Sequence, residues 1–450
     1  MLRANLLSAT NNKVKFDLEM KGNTLAIVLL VVGLVVGGGV GYFAAPTQTE
    51  TVVETQTVEA IPLDGKTIQI GYIASETANL ETAQPHIQEM MTPDYNEYAS
   101  KLGYDVEFKY LIDDATSQAA IHLEKVQGFK SIDVNIFIGG GWSSHAAGAL
   151  SYCNDNDMLM WSASSTSPTL MVPDDNLLRM CPTDLVQAPA IARMLESHGI
   201  KALVVIQRGD AWADGIYNIL EPMWVDGGGV MLERIRYAAE VQEFSSYLQL
   251  AENIISEAVD EYGAEHVGID IISFSEATMM LQQAEDFPTV YSTVWFGSDG
   301  TALTPQIEDD APEQAAHLDL YSTLAAPAES EKYKALAERY YALVSMPYGY
   351  YTACTYDIGW VLAETILESQ SIDAKVNIPL QETTCFNSFG ASGWNKINDD
   401  GDRYAANYQI WAYQIDDAGD GSEYVGGLYD MVTDSVTWYT DLIGYVPPTR

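Results

Sequence analysis

The chain has 450 residues, 47% of them hydrophobic, which is enough for two or three domains with real cores and too apolar for a disordered chain. Acidic residues outnumber basic ones 63 to 22, and the net charge of -41 argues against nucleic acid or anionic lipid as a partner surface. The charge is spread along the chain and not gathered into a tail, as expected of a protein kept soluble in a salty medium.

In the N-terminal segment 1–23, Arg3, Lys13, Lys15 and Lys21 outweigh Asp17 and Glu19. Residues 24–45, TLAIVLLVVGLVVGGGVGYFAA, carry no charge and are long enough to span a bilayer as a helix. A cleavable signal peptide would have a shorter apolar core and a small residue where Phe43 stands, and a lipoprotein anchor fails because the first cysteine is Cys153. No Lys or Arg follows the span until Lys66, so residues 1–23 are expected to be a cytoplasmic tail and everything from Pro46 onward to lie outside. Gly33, Gly37 and Gly41 are spaced for helix pairing, but glycine is frequent in membrane spans and the spacing alone predicts no dimer. Residues 46–64 are rich in Thr, Glu, Val and Gln without an aromatic residue, cannot bury a core, and read as a stalk.

From Thr67 onward, short apolar runs alternate with longer amphipathic ones. The pattern predicts strands at 67–73, 106–112 and 134–138 and helices at 81–102 and 117–129. The third strand runs into Gly139, Gly140, Gly141 and Trp142, after which Ser143 or Ser144 can cap a helix whose bare N–H groups approach an anion. A phosphate loop is excluded here because the lysine and the spacing are missing, so a carboxylate or neutral polar group fits better. Next comes WSASSTSPTL at 161–170, a strand end opening into a hydroxyl-rich loop that Pro168 keeps out of helix or central strand; taken alone, it reads more readily as a surface turn than as a ligand loop. A strand at 177–180 then leads through Pro182, Thr183 and Asp184 into a helix ending near Gly199.

A second series follows, with strands at 202–207, up to Tyr237, at 267–274 and at 289–296, and helices from about Trp212, at 244–262 and at 276–284. Two βα series imply an α/β chain of two doubly wound lobes with a cleft between them, where ligands are preferred. Trp212, Phe274 and Asp299 end strands of the second series, while hydroxyls and helix N-termini come from the first. Together they offer donors for a carboxylate, an anion for an ammonium and rings for an apolar body, the complements a small zwitterion needs.

Cys153, Cys181, Cys354 and Cys385 all fall on the outer side, so either two disulfides or four buried thiols are expected; four cysteines allow three connectivities, and sequence neighbours, Cys153 with Cys181 and Cys354 with Cys385, are the pairing expected of disulfides. No spacing suits zinc, and NDDGD at 398–402 fails as an EF-hand because Lys396 and Asn407 occupy ligand positions, so no metal and no cofactor is expected. The tail, with 424–428 and 436–438, reads as an added hairpin.

Six stretches taken in order, IGGGWSS at 138–144, WSASSTSPTL, LLRMCPTD at 177–184, FGSDG at 296–300, TYDIGW at 355–360 and FGASGWNKINDDGD at 389–402, resemble the type I periplasmic solute-binding proteins that serve ABC importers, in the branch that binds branched-chain amino acids and amides. The resemblance runs from Thr67 to about Tyr413 and implies two lobes joined by a hinge of three crossings: 65–184 with 323–387, and 185–322 with 393–450. It also implies that Ser143, Ser164 and Thr166 hold a ligand carboxylate, that Asp299 takes the ammonium, and that Trp212 and Phe274 pack around the ligand. Ser164 and Ser165 stand where small apolar residues are usual, so Ser165 too is expected at the ligand, on a more polar pocket floor; Trp212 replaces a frequent Tyr and Asp299 a frequent Glu, and the loop at 74–83 lacks the usual glycines.

The function expected is a membrane-anchored, extracytoplasmic receptor, monomeric in its outer part, that takes a small amino acid or related amine or amide and hands it to the permease and ATPase of an ABC transporter. Urea or short-amide binding, a sensor and a surface protein on the same fold are the alternatives. No nucleophile and base are placed together, so an enzyme is not expected.

Overall fold

The computed structural model describes residues 62–415, 419 and 421–443. The span expected at 24–45, the tail before it and the stalk up to residue 61 lie outside these, and among the described residues no helix is long and apolar enough to cross a membrane. The chain divides after Gly65, and both of its sheets lie in Lys66–Arg450.

Five strands form the first sheet: β1 (Lys66–Ala74), β2 (Val106–Asp114), β3 (Ile136–Ile138), β4 (Leu159–Ser162) and β5 (Leu177–Arg179). Their order is β2-β1-β3-β4-β5 and every pairing is parallel. The second sheet has eight: β6 (Ala202–Arg208), β7 (Val230–Tyr237), β8 (Val267–Ile272), β9 (Val294–Gly297), β10 (Tyr321–Ala325), β11 (Tyr408–Ile415), β12 (Gly421–Asp430) and β13 (Ser435–Trp438). Its order is β13-β12-β11-β10-β9-β8-β6-β7, parallel from β7 to β10 and antiparallel from β10 to β13, so the expected terminal hairpin is β12–β13, with Gly427 opposite Trp438.

Burial on both faces explains the unbroken apolar strands. Leu203 and Val205 of β6 pack on one side with Ile191, Leu195 and Trp224, while Val204 and Ile206 pack on the other with Leu248, Ile255 and Met280. In the first sheet, Ile73, Phe137 and Met160 close over Val126, Phe129 and Ala146.

Several elements differ from the sequence pattern for local reasons. The helix expected at 81–102 is Thr77–Pro85 and Thr92–Lys101 with a π-type turn, His86–Met91, between them; the turn is flanked by Pro85 and Pro93, and Pro93 has no N–H to give the ladder. The strand expected from Thr289 begins only at Val294. The Glu252 carboxylate accepts the N–H groups of Thr289 and Val290 at 2.8–3.1 Å, so this backbone is tied to a helix and not to a ladder. β10 stays in the second sheet through Ala325, beyond the boundary expected at 322/323.

The disulfide expectation is corrected: all four cysteines are buried free thiols. Cys181 Sγ donates to Ser165 O and Cys354 Sγ to Met180 O, each at 3.3 Å, while Cys153 packs in the first core and Cys385 on the helix Ala374–Asn387. Each sulfur is thus engaged by its own surroundings, and burial pushes the thiols of Cys153, Cys354 and Cys385 up to about 12.

The chain leaves the first sheet after β5, and the helices Tyr350–Ser369 and Ala374–Asn387, which follow β10, return to pack on the first sheet's side: Trp161 Nε1 donates to Gln381 Oε1 at 3.1 Å and Tyr95 Oη to Tyr356 O at 2.7 Å. Where the chain turns back toward β11, it meets Arg179. That guanidinium is fully buried and grips both oxygens of Asp402, at 2.5 and 2.8 Å, while its remaining Nη1 donates to Ser165 O and Ser167 O. The backbones join as well, Arg179 N to Gly401 O and Arg403 N to Arg179 O, both at 2.9 Å. Removing one partner strands a buried charge, which costs about 3–5 kcal/mol. Asp402→Ala is therefore expected to lower the unfolding free energy by about that amount, measured by urea denaturation; a change below about 1 kcal/mol would show the pair to be dispensable.

Candidate functional site

A cavity of about 300 Å³ opens at the carboxyl ends of strands from both sheets, the place where open α/β sheets bind ligands. From the first sheet come Ser75 after β1, the turn at 139–143 after β3 and Ser164 after β4; from the second come Trp212, Phe274 and Asp299 after β6, β8 and β9. Tyr350, Tyr351 and Thr355 of the long helix complete the wall.

The glycine turn is shaped by Gly140, whose φ of 62° is left-handed, and by a clasp in which Ser162 Oγ donates to Gly140 O at 2.9 Å. The helix that follows starts at Ser143 with Trp142 at its cap position and no side-chain cap, so neither Ser143 nor Ser144 caps it. Ser143 Oγ instead accepts the N–H of Ser167 at 3.2 Å, which leaves its own hydrogen to donate. The hydroxyl loop is tied to neighbouring segments: Ser164 Oγ donates to Gly141 O at 2.9 Å, and Ser167 Oγ donates to Ala211 O at the start of the helix after β6 at 3.1 Å.

On the opposite side, Asp210 caps the helix Ala211–Asp226, accepting from Trp212 N and Ala213 N at 3.1 and 3.0 Å, and so fixes Trp212. Trp212 and Phe274 stack at 4.2 Å and 8°, and Trp142 lies on the other face of the group at 4.7 Å and 10° from Phe274. Arg208 stands over this stack, 5.5 Å from Trp142 and 5.1 Å from Phe274, itself paired with Asp210 and Glu276. The two rings expected to hold a ligand thus hold each other, with Trp142 from the first sheet closing on them.

Asp299 accepts from Gln187 Nε2 at 2.8 Å and from Tyr351 Oη at 2.5 Å. Burial raises its carboxyl above the ordinary range, opposed by hydrogen bonds from Tyr351, Gln187 and Trp212. Asp184, one helical turn before Gln187, is fully buried with neither oxygen meeting a donor at good geometry, and burial together with the neighbouring Asp299 charge raises its carboxyl well above the ordinary range. Two buried acids near one another hold a proton more tightly than either would alone in water.

Of the residues expected from the sequence, Ser143, Ser164, Trp212, Phe274 and Asp299 line the cavity. Ser165 and Thr166 do not; they are 1% exposed behind it, where the Thr166 hydroxyl bears on the buried Asp184 carboxyl. The sequence reading missed Trp142, Gln187 and Tyr351 as parts of the site. Trp142 follows the glycine turn directly and carried a readable signal, whereas Gln187 and Tyr351 reach Asp299 from 112 and 52 residues away, a distance no local pattern encodes. The turn at 398–402 is held by Asn398 Oδ1, which accepts the N–H groups of Asp400 and Asp402, and among the described residues no group of His, Cys, Asp and Glu could hold a metal ion.

Residues 94–416 match the family described as the receptor family ligand binding region, and the chain belongs to that family. It is 26% identical over 427 residues to an uncharacterized protein, MJ1266, of Methanocaldococcus jannaschii, covering 90% of this chain and 99% of the relative. Among solved structures it is similar to a leucine binding protein, LivK, of Thermotoga maritima, with a TM-score of 0.64, 20% identity and coverage of 83% of this chain and 99% of the other. A branched-chain amino acid transporter substrate binding protein, LivJ, of Streptococcus pneumoniae in complex with isoleucine matches with a TM-score of 0.64 and 16% identity, covering 80% of this chain and 99% of the other. The fold is that of the type I periplasmic binding proteins, shared with substrate-binding proteins of ABC transporters.

Gly300 leaves the room that the aromatic stack occupies: a Cβ there would meet Ser273 O at 2.2 Å and the rings of Phe274 and Trp212 at 2.8 Å. Gly300→Ala should destabilise the fold by about 1–3 kcal/mol through overpacking and shift the near-ultraviolet dichroism of the stack. An unchanged spectrum and unchanged stability would show that the stack does not constrain this backbone.

Proposed function

We propose that the protein is an extracytoplasmic solute receptor that captures a small amino acid or related amine between two lobes and passes it to the permease and ATPase of an ABC transporter. The single observation that carries this reading is the cavity, whose one wall offers the Asp299 acid and aromatic rings while the other offers Ser143 and the start of an uncapped helix. An ammonium suits the first wall and a carboxylate the second. In this reading the lobes are 65–184 with the helices after β10, and 185–322 with the strands from β11 onward, and ligand closes them by touching both. Residues 24–45 anchor the receptor as a transmembrane helix with the N-terminus in the cytoplasm and 46–64 as a stalk. The role is binding, without catalysis, by a monomer.

A second reading has one observation in its favour. Asp299 already accepts two hydrogen bonds from the protein, so an uncharged amide such as urea would suit the site without displacing either.

Calorimetric titration with neutral, branched, acidic and basic amino acids, urea and short amides separates the two. The amino acid reading expects saturable binding weakened about ten- to hundredfold by Asp299→Ala, the loss of one charge-assisted contact. Binding of an uncharged amide alone, indifferent to that substitution, would establish the second reading, and silence across the panel in folded protein would refute both.

A further inference from the structure

A second cavity, of about 540 Å³, shares no lining residue with the cleft. Its walls are 326–329, which follows β10, the segments 392–394 and 396 and 403–407 that lead into β11, and Gln409, Leu428 and Tyr439. Its volume is that of a small-molecule site.

Arg403 stands in this wall, 4% exposed, and differs from Arg179 in having no carboxylate in contact among the described residues. Its Nη1 donates to Met180 O, Ser392 Oγ and Asn395 Oδ1 at 3.3, 2.8 and 3.4 Å, and its Nη2 donates to Ser392 O at 3.1 Å, all neutral acceptors. Its Nε meets no acceptor at all. Asp357 is reached only through Ser392, whose hydroxyl donates to it. The Asp357 charge acts on the guanidinium without touching it and the Tyr350 ring lies 6.0 Å from its Cζ, but the buried Nε–H is left as a donor without an acceptor. A second cation joins it: the Lys396 ammonium lies 5.3 Å from the Trp394 ring and 4.2 Å from Tyr404, and makes no ion pair among the described residues. Trp394 and Tyr404 are 44% and 60% exposed, flat faces at the mouth of the same cavity. Two cations against the single acid Glu329 is unusual in a chain of net charge -41.

We infer that this cavity is a second ligand site, for a small organic anion whose carboxylate meets Arg403 and Lys396 and whose planar body lies against Trp394 and Tyr404. The inference does not rest on the reading of the cleft. Because the walls are stretches of chain that pass between the two sheets, the anion sits where lobe movement would be felt.

The test is titration of the full chain with benzoate, followed by calorimetry, with benzyl alcohol as the uncharged counterpart. The inference expects one saturable benzoate site, benzyl alcohol at least about tenfold weaker, and benzoate weakened about tenfold by Lys396→Gln, a change at a half-buried surface position that leaves the fold intact. Trp212→Ala, in the cleft, should leave benzoate binding unchanged. Absence of saturation, equal binding of the alcohol, indifference to both Lys396→Gln and Trp394→Leu, or loss in Trp212→Ala would each overturn it.

Discussion

Arg179 is the point on which the molecule turns. A fully buried cation is tolerable only when its donors are matched, and here four matched contacts tie three separate parts of the chain: the end of β5, the hydroxyl loop through Ser165 O and Ser167 O, and the return segment through Asp402. The planar guanidinium is suited to this because its fork reads a carboxylate with one edge and carbonyls with another. Position of the loop, and hence of Ser164 at the cleft, follows from that anchor together with the loop's own hydroxyls, which bond to Gly140, Gly141 and Ala211.

The cleft then sets two unlike walls facing each other. The first is polar and backbone-rich, with an uncapped helix start beside Ser143. The second is acidic and aromatic, with the Asp299 carboxyl raised above its ordinary range by burial. The Trp142, Phe274 and Trp212 stack spans the two walls, so the same rings that could flank a ligand also hold the walls together. On the proposed reading, ligand and stack act on one equilibrium, and a ligand that touches both walls biases it in proportion to its preference for the closed arrangement.

Much of this was legible in the sequence because it was local. The βα rhythm, the glycine turn, the serines and threonine after β4 and the Gly-flanked Asp299 are read within a few residues, and five of the seven expected ligand positions reach the cavity. Ser165 and Thr166 do not, because part of a loop leaving a buried strand turns back into the protein and the sequence does not say which part. Cysteine parity pointed outward to disulfides, but each sulfur packs against its own neighbours, information that lives in the tertiary arrangement. The shortened strand before Val294 has the same origin: Glu252, far away in sequence, captures the N–H groups that a ladder would need. Arg179 could be seen in the sequence but its partner could not, since the pair closes over 223 residues.

On the proposed reading, Asp299 receives the ligand's ammonium with the buried Asp184 carboxyl beside it. Burial raises both carboxyls, so in the empty site the pair keeps a proton to a higher pH than free aspartate would; an ammonium favours the ionised form and must drive that proton out. The most direct measurement is calorimetric titration of the bound amino acid at mildly acidic pH in buffers of different protonation enthalpy. Proton release, seen as an apparent enthalpy that changes from buffer to buffer and loses that dependence in Asp299→Asn, is the predicted result. Tight amino acid binding with the same enthalpy in every buffer would contradict the account.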